Sequence, residues 1–371
     1  MRMLKRAEAR APKANYDTPG YLTGLTSPPF LSIVPRMNLK KILLPTFISL
    51  GLVSQLHAAE MSRGWLLVAN KGDHTLAIVD PVAGRTVAVV AEDGVTGHEV
   101  VASPDGSRAF VPIYGNAGVG RPGTDGSLLR VIDLAKHEIT GTVDFGKGVR
   151  PHCAVMGPKN GLLYVTTELE NSITVIDPAT LKIISKIPTG QPESHMLAIT
   201  RDGRRGYTAN VAPGTVSVLD LESNRVITVI PVAKNTQRIS LSVDDRRVFT
   251  SDQSQPQLIV IDTATNGVAA RVALPSTGYG TAPTPDGRWL LVALNKINQV
   301  AVVDLATLKV ARTLDVPKSP QEILVQPDGA LAYVACDASK QVAVIDTREW
   351  KVTKLINTGP GTDGLAWAVR K

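Results

Sequence analysis

His98, His152 and His195 stand 54 and 43 residues apart, and each leads from a loop into an apolar run. Neutral imidazole is a good ligand for zinc, copper, iron or nickel, so three of them brought to one point would make a metal site. Ligation needs their ring nitrogens within about 3.5 Å of one another. Two other readings stay open: proton transfer, if carboxylates stand beside them, or a polar lining that hydrogen bonds to neighbouring backbone.

The positions equivalent to these histidines elsewhere in the chain are Gln237, Tyr279, Gln321 and Asp363. Glu99, Arg150, Glu193, Arg238 and Glu322 lie in the same entry loops, and a second set of loops adds Tyr114, Asn116, Glu168, Asn210, Asp252 and Asn295. Carboxylates among histidines can shift their titration towards neutral pH. Collectively, a polar funnel of mixed charge favours a small polar ligand or a peptide segment over a lipid. No serine lies in a nucleophile elbow and no cysteines have zinc-type spacing. His152 and Cys153 adjoin, but successive strand residues face opposite sides, which disfavours a Cys–His pair.

The equivalence of those loops rests on a sentence written seven times. Apolar runs close on Asp80, Asp133, Asp177, Asp220, Asp262, Asp304 and Asp346, spaced 53, 44, 43, 42, 42 and 42 residues apart. A period near 42 belongs to radial arrays of four-stranded units. Residues 195–230 give one unit: a strand from His195 to Thr200, a turn at Arg201-Asp-Gly203, a strand from Gly206 to Asn210, then strands at 215–220 and 225–230. The strands are short and rich in β-branched residues, and Gly, Pro, Asp or Asn bounds them. Ser103-Pro-Asp-Gly106, Thr284-Pro-Asp-Gly287 and Gln326-Pro-Asp-Gly329 are turn chemistry.

The fold class expected is therefore all-β, a seven-bladed β-propeller of four-stranded blades over residues 60–371. Its ends are out of phase. Trp65-Leu-Leu-Val-Ala-Asn70 reads as a second strand with no first strand before it, and Asp363 to Val369 as a first strand with nothing after it. The C-terminal segment should complete the N-terminal blade and leave no open sheet edge. One blade is longer than the rest, through the glycine-rich stretch 115–126. It lacks the lysine and following helix of a phosphate loop, and reads as a lid or as a tolerated surface insertion.

Residues 37–59 combine Lys40 and Lys41, an apolar run from Ile42 to Leu56 and the small-residue end Ala58-Ala59. This is the pattern of a secretory signal peptide, too short for the roughly 20 apolar residues of a bilayer-spanning helix. Met37 is then the expected initiator, residues 1–36 a non-native upstream extension, and the mature protein periplasmic or secreted. Without the net positive charge of residues 1–59, the formal charge falls from +7 to +1. With 4% aromatic residues as well, this argues against nucleic-acid binding. The only two cysteines, Cys153 and Cys336, fall on separate repeats and read as unpaired buried thiols.

The second-strand phrases Leu163-Tyr-Val-Thr-Thr167, Gly206-Tyr-Thr-Ala-Asn210 and Ala332-Tyr-Val-Ala335 follow Pro-Asp-Gly-like turns and precede strands ending in Asp. In this the chain resembles the YVTN-type β-propeller repeat family of exported bacterial and archaeal proteins, over residues 65–369. The resemblance implies seven blades. Its wider kin include surface-layer components, amine-dehydrogenase propeller subunits and lactonase-like enzymes, and none of their catalytic motifs maps onto residues here.

The function expected is a binding or interaction module, monomeric, with its ligand at the channel mouth. The residues expected there are His98, Glu99, Arg150, His152, Glu168, Glu193, His195, Asn210, Arg238, Asp252, Tyr279 and Gln321. Two alternatives remain: a metal-assisted hydrolase, lyase or lactonase-like enzyme using those histidines with Glu99, Glu168 or Glu193, and a non-catalytic subunit of a periplasmic redox complex.

Overall fold

The computed structural model describes residues 63–370. The expected signal segment and upstream extension lie outside the described residues. Within them the chain forms seven four-stranded antiparallel sheets. Six are consecutive in sequence, at residues 101–144, 151–188, 194–231, 236–273, 281–315 and 320–357, and are here blades two to seven. Blade one combines residues 64–91 with the strand Thr362–Val369, which pairs antiparallel with Gly64–Asn70 so that Leu66 faces Trp367 and Val68 faces Leu365. The first strand of each blade touches that of the next, and the closing strand touches the first strands of blades seven and two. The structure is thus a closed seven-bladed β-propeller, as the repeat predicts.

The repeated aspartates are turn caps. At each of the seven, one carboxylate oxygen accepts the backbone N–H two and three residues on, as at Asp133 (Ala135 and Lys136, both 2.9 Å) and Asp346 (Arg348 and Glu349, both 2.8 Å). This is the Asx turn that lets a strand reverse without leaving orphan donors. The pairing of third and fourth strands slips register in all seven blades, a bulge that adds twist at the rim. The Pro-Asp-Gly turns place glycine where φ is positive; at Gly106 (φ 71) a side chain would also collide with the Val369 carbonyl of the closing strand.

Second and third strands are buried along nearly their whole length, because neighbouring blades cover both faces. Leu66 and Val68 of blade one pack with Tyr333, Val342 and Val344 of blade seven, and Leu67, Leu76 and Ile78 with Val111 and Ile113 of blade two. Burying each such Leu or Ile contributes about 1.5–3 kcal/mol. Arginines tie blades together as well: Arg108, Arg205 and Arg247 each donate to the carbonyl just after the repeated aspartate of the next blade, at 2.8, 2.7 and 2.7 Å. Cys153 and Cys336 are both free and buried. Burial pushes both thiols up to about 12, which leaves them unreactive.

Candidate functional site

Two entry loops carry large side chains in the left-handed region, Arg150 (φ 49) and Glu193 (φ 54), and each lies two residues before a buried histidine. Such conformations cost of order 1 kcal/mol or more in bulky residues and persist where the surroundings hold them. Here they turn the backbone so that His152 and His195 enter the first strands of blades three and four from the ring's central face.

The three entry histidines meet around one tyrosine. The Tyr114 ring lies 5.0 Å from both His98 and His152 and 5.7 Å from His195, centroid to centroid. His152 and His195 stack at 3.5 Å with their planes 31° apart, and His98 stands 5.5 Å from His152. Both nitrogens of His195 are engaged: Nδ1 lies 3.2 Å from Glu168 Oε2, and Nε2 lies 3.0 Å from the Gln237 amide nitrogen. Because that amide must donate, the neutral tautomer that satisfies both contacts carries its proton on Nδ1. Glu168 also accepts the Tyr114 hydroxyl at 2.7 Å and faces Arg150 Nη1 at 3.4 Å.

Burial dominates the electrostatics of this group. It pushes His152 well below the usual imidazole range, with His195 and His98 adding to the effect, and lowers His98 to about 4 against the pull of Asp363. His195 is lowered by burial despite its bond to Glu168. For Glu168 burial acts upward but is outweighed by His195, Tyr114 and Arg150, so its carboxylate is held below the ordinary range. At neutral pH the site is therefore three uncharged imidazoles beside one anchored carboxylate. Nδ1 of His152, a residue only 2% exposed, has no hydrogen-bond partner.

A second cluster adjoins the first through His98, whose Nδ1 lies 3.9 Å from Asp363 Oδ2. Arg238 reaches from blade five to carboxylates of three other blades. It bonds Glu99, holds Asp363 at 2.9 Å and approaches Glu322 at 3.7 Å, with its guanidinium 5.0 Å above the Tyr279 ring. Lys71 bridges Asp337 at 3.0 Å and Asp363 at 3.2 Å.

The glycine-rich insertion packs on the histidine group through Arg150. Its guanidinium donates to the Arg121 carbonyl at 2.6 Å and to that of Gly118 at 3.5 Å, and pairs with Asp125 at 2.6 Å. Gly120 lies against Glu193 of blade four, so the insertion from blade two spans the entry of blade three.

Of the twelve residues read from sequence, His98, Glu99, Arg150, His152, Glu168, His195, Arg238 and Tyr279 fall in these two clusters. Glu193 stands at their margin, accepting the Ala212 N–H at 2.8 Å. The other three are occupied elsewhere. Asn210 bonds Ser194, Thr208, Thr215 and Ser217 inside blade four. Asp252 caps its own hairpin through Ser254, Gln255 and Gln257, and Gln321 bonds Ser319 at 2.9 Å. Sequence reasoning missed Lys71 and Asp337. The usable signal was position, since both, like Glu168, are the first residue after a second strand, whereas Asn210 and Asp252 are the last residue within one. His98, His152 and His195 are gathered, but as stacked and tilted rings, and among the described residues no group of His, Cys, Asp or Glu is arranged to hold a metal ion.

Solved structures with the same architecture include Kuenenia stuttgartiensis hydrazine synthase, 20% identical with a TM-score of 0.66, covering 76% of this chain and 92% of that one. Dihydro-heme d1 dehydrogenase NirN in complex with DHE is 13% identical with a TM-score of 0.61, covering 82% of this chain and 75% of its own. A functionally unknown protein from Desulfotomaculum acetoxidans is 12% identical with a TM-score of 0.69, covering 83% of this chain and 100% of its own. At these identities the likeness is one of fold. A search of the curated proteins finds no match. The family model described as "Domain of unknown function (DUF5074)" matches residues 132–356, and the chain belongs to that family.

Proposed function

We propose that the protein is an exported binding module of the YVTN-type propeller class, which takes a small polar ligand or a peptide segment at the histidine-lined end of its ring. The observation that carries this reading is the unpartnered Nδ1 of His152, buried next to a histidine whose two nitrogens are both engaged. Leaving a buried polar atom unpaired costs about 1–3 kcal/mol, and a ligand group that bonds it recovers that cost. The strained backbone at Arg150 and Glu193 and the insertion packed against both support a shaped, covered site. Neutral imidazoles, the partly exposed His98 and the Lys71–Asp337 pair offer donors, acceptors and both charges within one mouth. Export rests on residues 37–59, whose charge and hydropathy pattern is that of a cleaved leader.

The test is a thermal-shift panel of amino acids, dipeptides, dicarboxylates and monosaccharides against wild-type protein and the variants His98→Ala and His152→Leu. A compound that stabilises the wild type should lose at least about tenfold in affinity in one of the two variants, which is about 1.4 kcal/mol. Compounds that bind all three proteins alike would place the site elsewhere.

A further inference from the structure

The charges of the axial network around Arg238 do not balance. Four carboxylates, Glu99, Glu322, Asp363 and Asp337, face two cations, Arg238 and Lys71, and among the described residues no other Lys or Arg comes within 4 Å of them. Asp363 holds both cations, at 2.9 and 3.2 Å, and Glu99 bonds Arg238. Glu322, 3.7 Å from Arg238, and Asp337, whose one cation is shared with Asp363, are therefore the least neutralised. They are also the most open of the four, with side chains 23% and 28% exposed, whereas Arg238, Glu99 and Asp363 are buried. His98, 3.9 Å from Asp363, adds no charge at neutral pH, because burial keeps its imidazole unprotonated. A surplus of negative charge is costly where water screens little, and a cation that enters the mouth lowers that cost.

We propose, resting on the binding site assigned above, that its ligand is an organic cation whose protonated amine pairs with Glu322 and Asp337. An ammonium group has three donors and reaches separate carboxylates through hydrogen bonds. A metal ion needs its ligands gathered at one point, and no group of His, Cys, Asp or Glu among the described residues is so arranged. A second observation points to the same ligand. Nδ1 of His152 and Nε of Arg238, on residues 2% and 3% exposed, have no hydrogen-bond partner, and the His152 ring stands 5.5 Å from that of His98. Arg238 Nε only donates, so a carbonyl next to the amine suits it. An amino amide carries both groups, as does the amino terminus of a peptide. Dicarboxylates would add to the surplus of negative charge and are disfavoured.

The test titrates the full-length chain with three probes of one frame, L-alaninamide, N-acetyl-L-alaninamide and N-acetyl-L-alanine, which are cationic, neutral and anionic at about pH 6.5. Binding is read from the ring signals of His98 and His152. The cation should bind at least about tenfold more tightly than either acetylated probe, and its affinity should fall as ionic strength rises from about 0.02 to about 0.3 M. Asp337→Asn and Glu322→Gln, the latter keeping an acceptor for the Leu365 N–H, should each weaken the cation about tenfold and leave the neutral probe unchanged. Asp337→Asn alone decides if Glu322→Gln does not fold. Trialaninamide and 1,4-diaminobutane, run beside them, separate a peptide terminus from a free amine. A neutral or anionic probe that binds as well as the cation and moves the histidine signals would overturn the proposal while leaving the site in place. Cation binding that is absent, or undiminished in both variants, would also overturn it. If in addition no compound moves those signals, the site itself falls with it.

Discussion

His152 lies against His195 with ring centroids 3.5 Å apart, and the two residues come from adjacent blades. Both are buried and neutral, so the stack is apolar on its faces while its hydrogen-bonding edges are unequal: His195 is satisfied by Glu168 and Gln237, and His152 leaves Nδ1 unpaired. The pairing ties the candidate site to the integrity of the ring, because neither imidazole can take up a proton without placing a cation against its neighbour.

That relationship sets a pH response. The folded-state pKa of His152 is depressed, chiefly by burial, so its contribution to stability is present above the unfolded value near 6.5 and is lost as pH falls below it. In His152→Leu the melting temperature, measured relative to the wild type at each pH, should rise by about 2 °C or more between about pH 7.5 and about pH 5.5. A constant offset across that range would mean that His152 does not resist protonation.

Glu92 responds in the opposite sense. It is fully buried with Oε1 unpaired, and burial raises its pKa to about 7 although the Gly97 N–H bonds Oε2 at 2.7 Å. Its folded pKa lies above the unfolded value, so the stability it contributes is present below about pH 4.5 and is lost as pH rises towards 7. Glu92→Gln should therefore leave stability unchanged at about pH 5 and raise it by about 3 kcal/mol at about pH 8.5, measured by denaturant titration.

The insertion should depend on Arg150. Replacing it by Gln removes the donors to the Arg121 and Gly118 carbonyls and leaves Glu168 without its cation, at a cost of about 3 kcal/mol. Amide exchange in residues 116–124 should accelerate by more than the global loss of stability explains. Exchange that rises uniformly over all blades would show that Arg150 does not secure this segment.

Closure of the ring gives a stability prediction. Removing residues 361–371 exposes the edge of Gly64–Asn70 and deletes Asp363 and Leu365 from the axial network, so the protein should lose its cooperative melt and aggregate. Gly364→Ala, whose Cβ would lie 2.5 Å from the His98 carbonyl oxygen and 2.7 Å from Glu99 Cα, should cost about 1–3 kcal/mol in a chemical-denaturation experiment. A truncated chain that melts like the full one would contradict closure.

The architecture was legible because each blade repeats the same local problem. An aspartate must cap the third strand, a Pro-Asp-Gly turn must reverse the first, and both leave fixed letters at a fixed period. The missing first strand at Trp65 and the surplus one at Asp363 announced the seam for the same reason. The entry histidines were legible by alignment, since first strands share a register. Which polar residues meet at the axis was not, because the last residue of a second strand and the first residue of the following turn differ by one position but serve opposite ends of the blade's bonding. Asn210 and Asp252 are consumed within their blades, while Lys71, Glu168 and Asp337 reach the centre. The His152–His195 stack joins consecutive blades and the Arg238 cluster joins blades far apart in sequence, and no local pattern encodes either contact.

The binding site is tested most directly by nitrogen–proton correlation spectra of the histidine rings, recorded with and without a saturating compound from the thermal-shift panel. The ring nitrogens of His152 should shift on binding, while those of the exposed turn residues His74 and His137 stay fixed. A saturated protein whose His98, His152 and His195 resonances do not move would contradict the assignment of the ligand to this end of the ring.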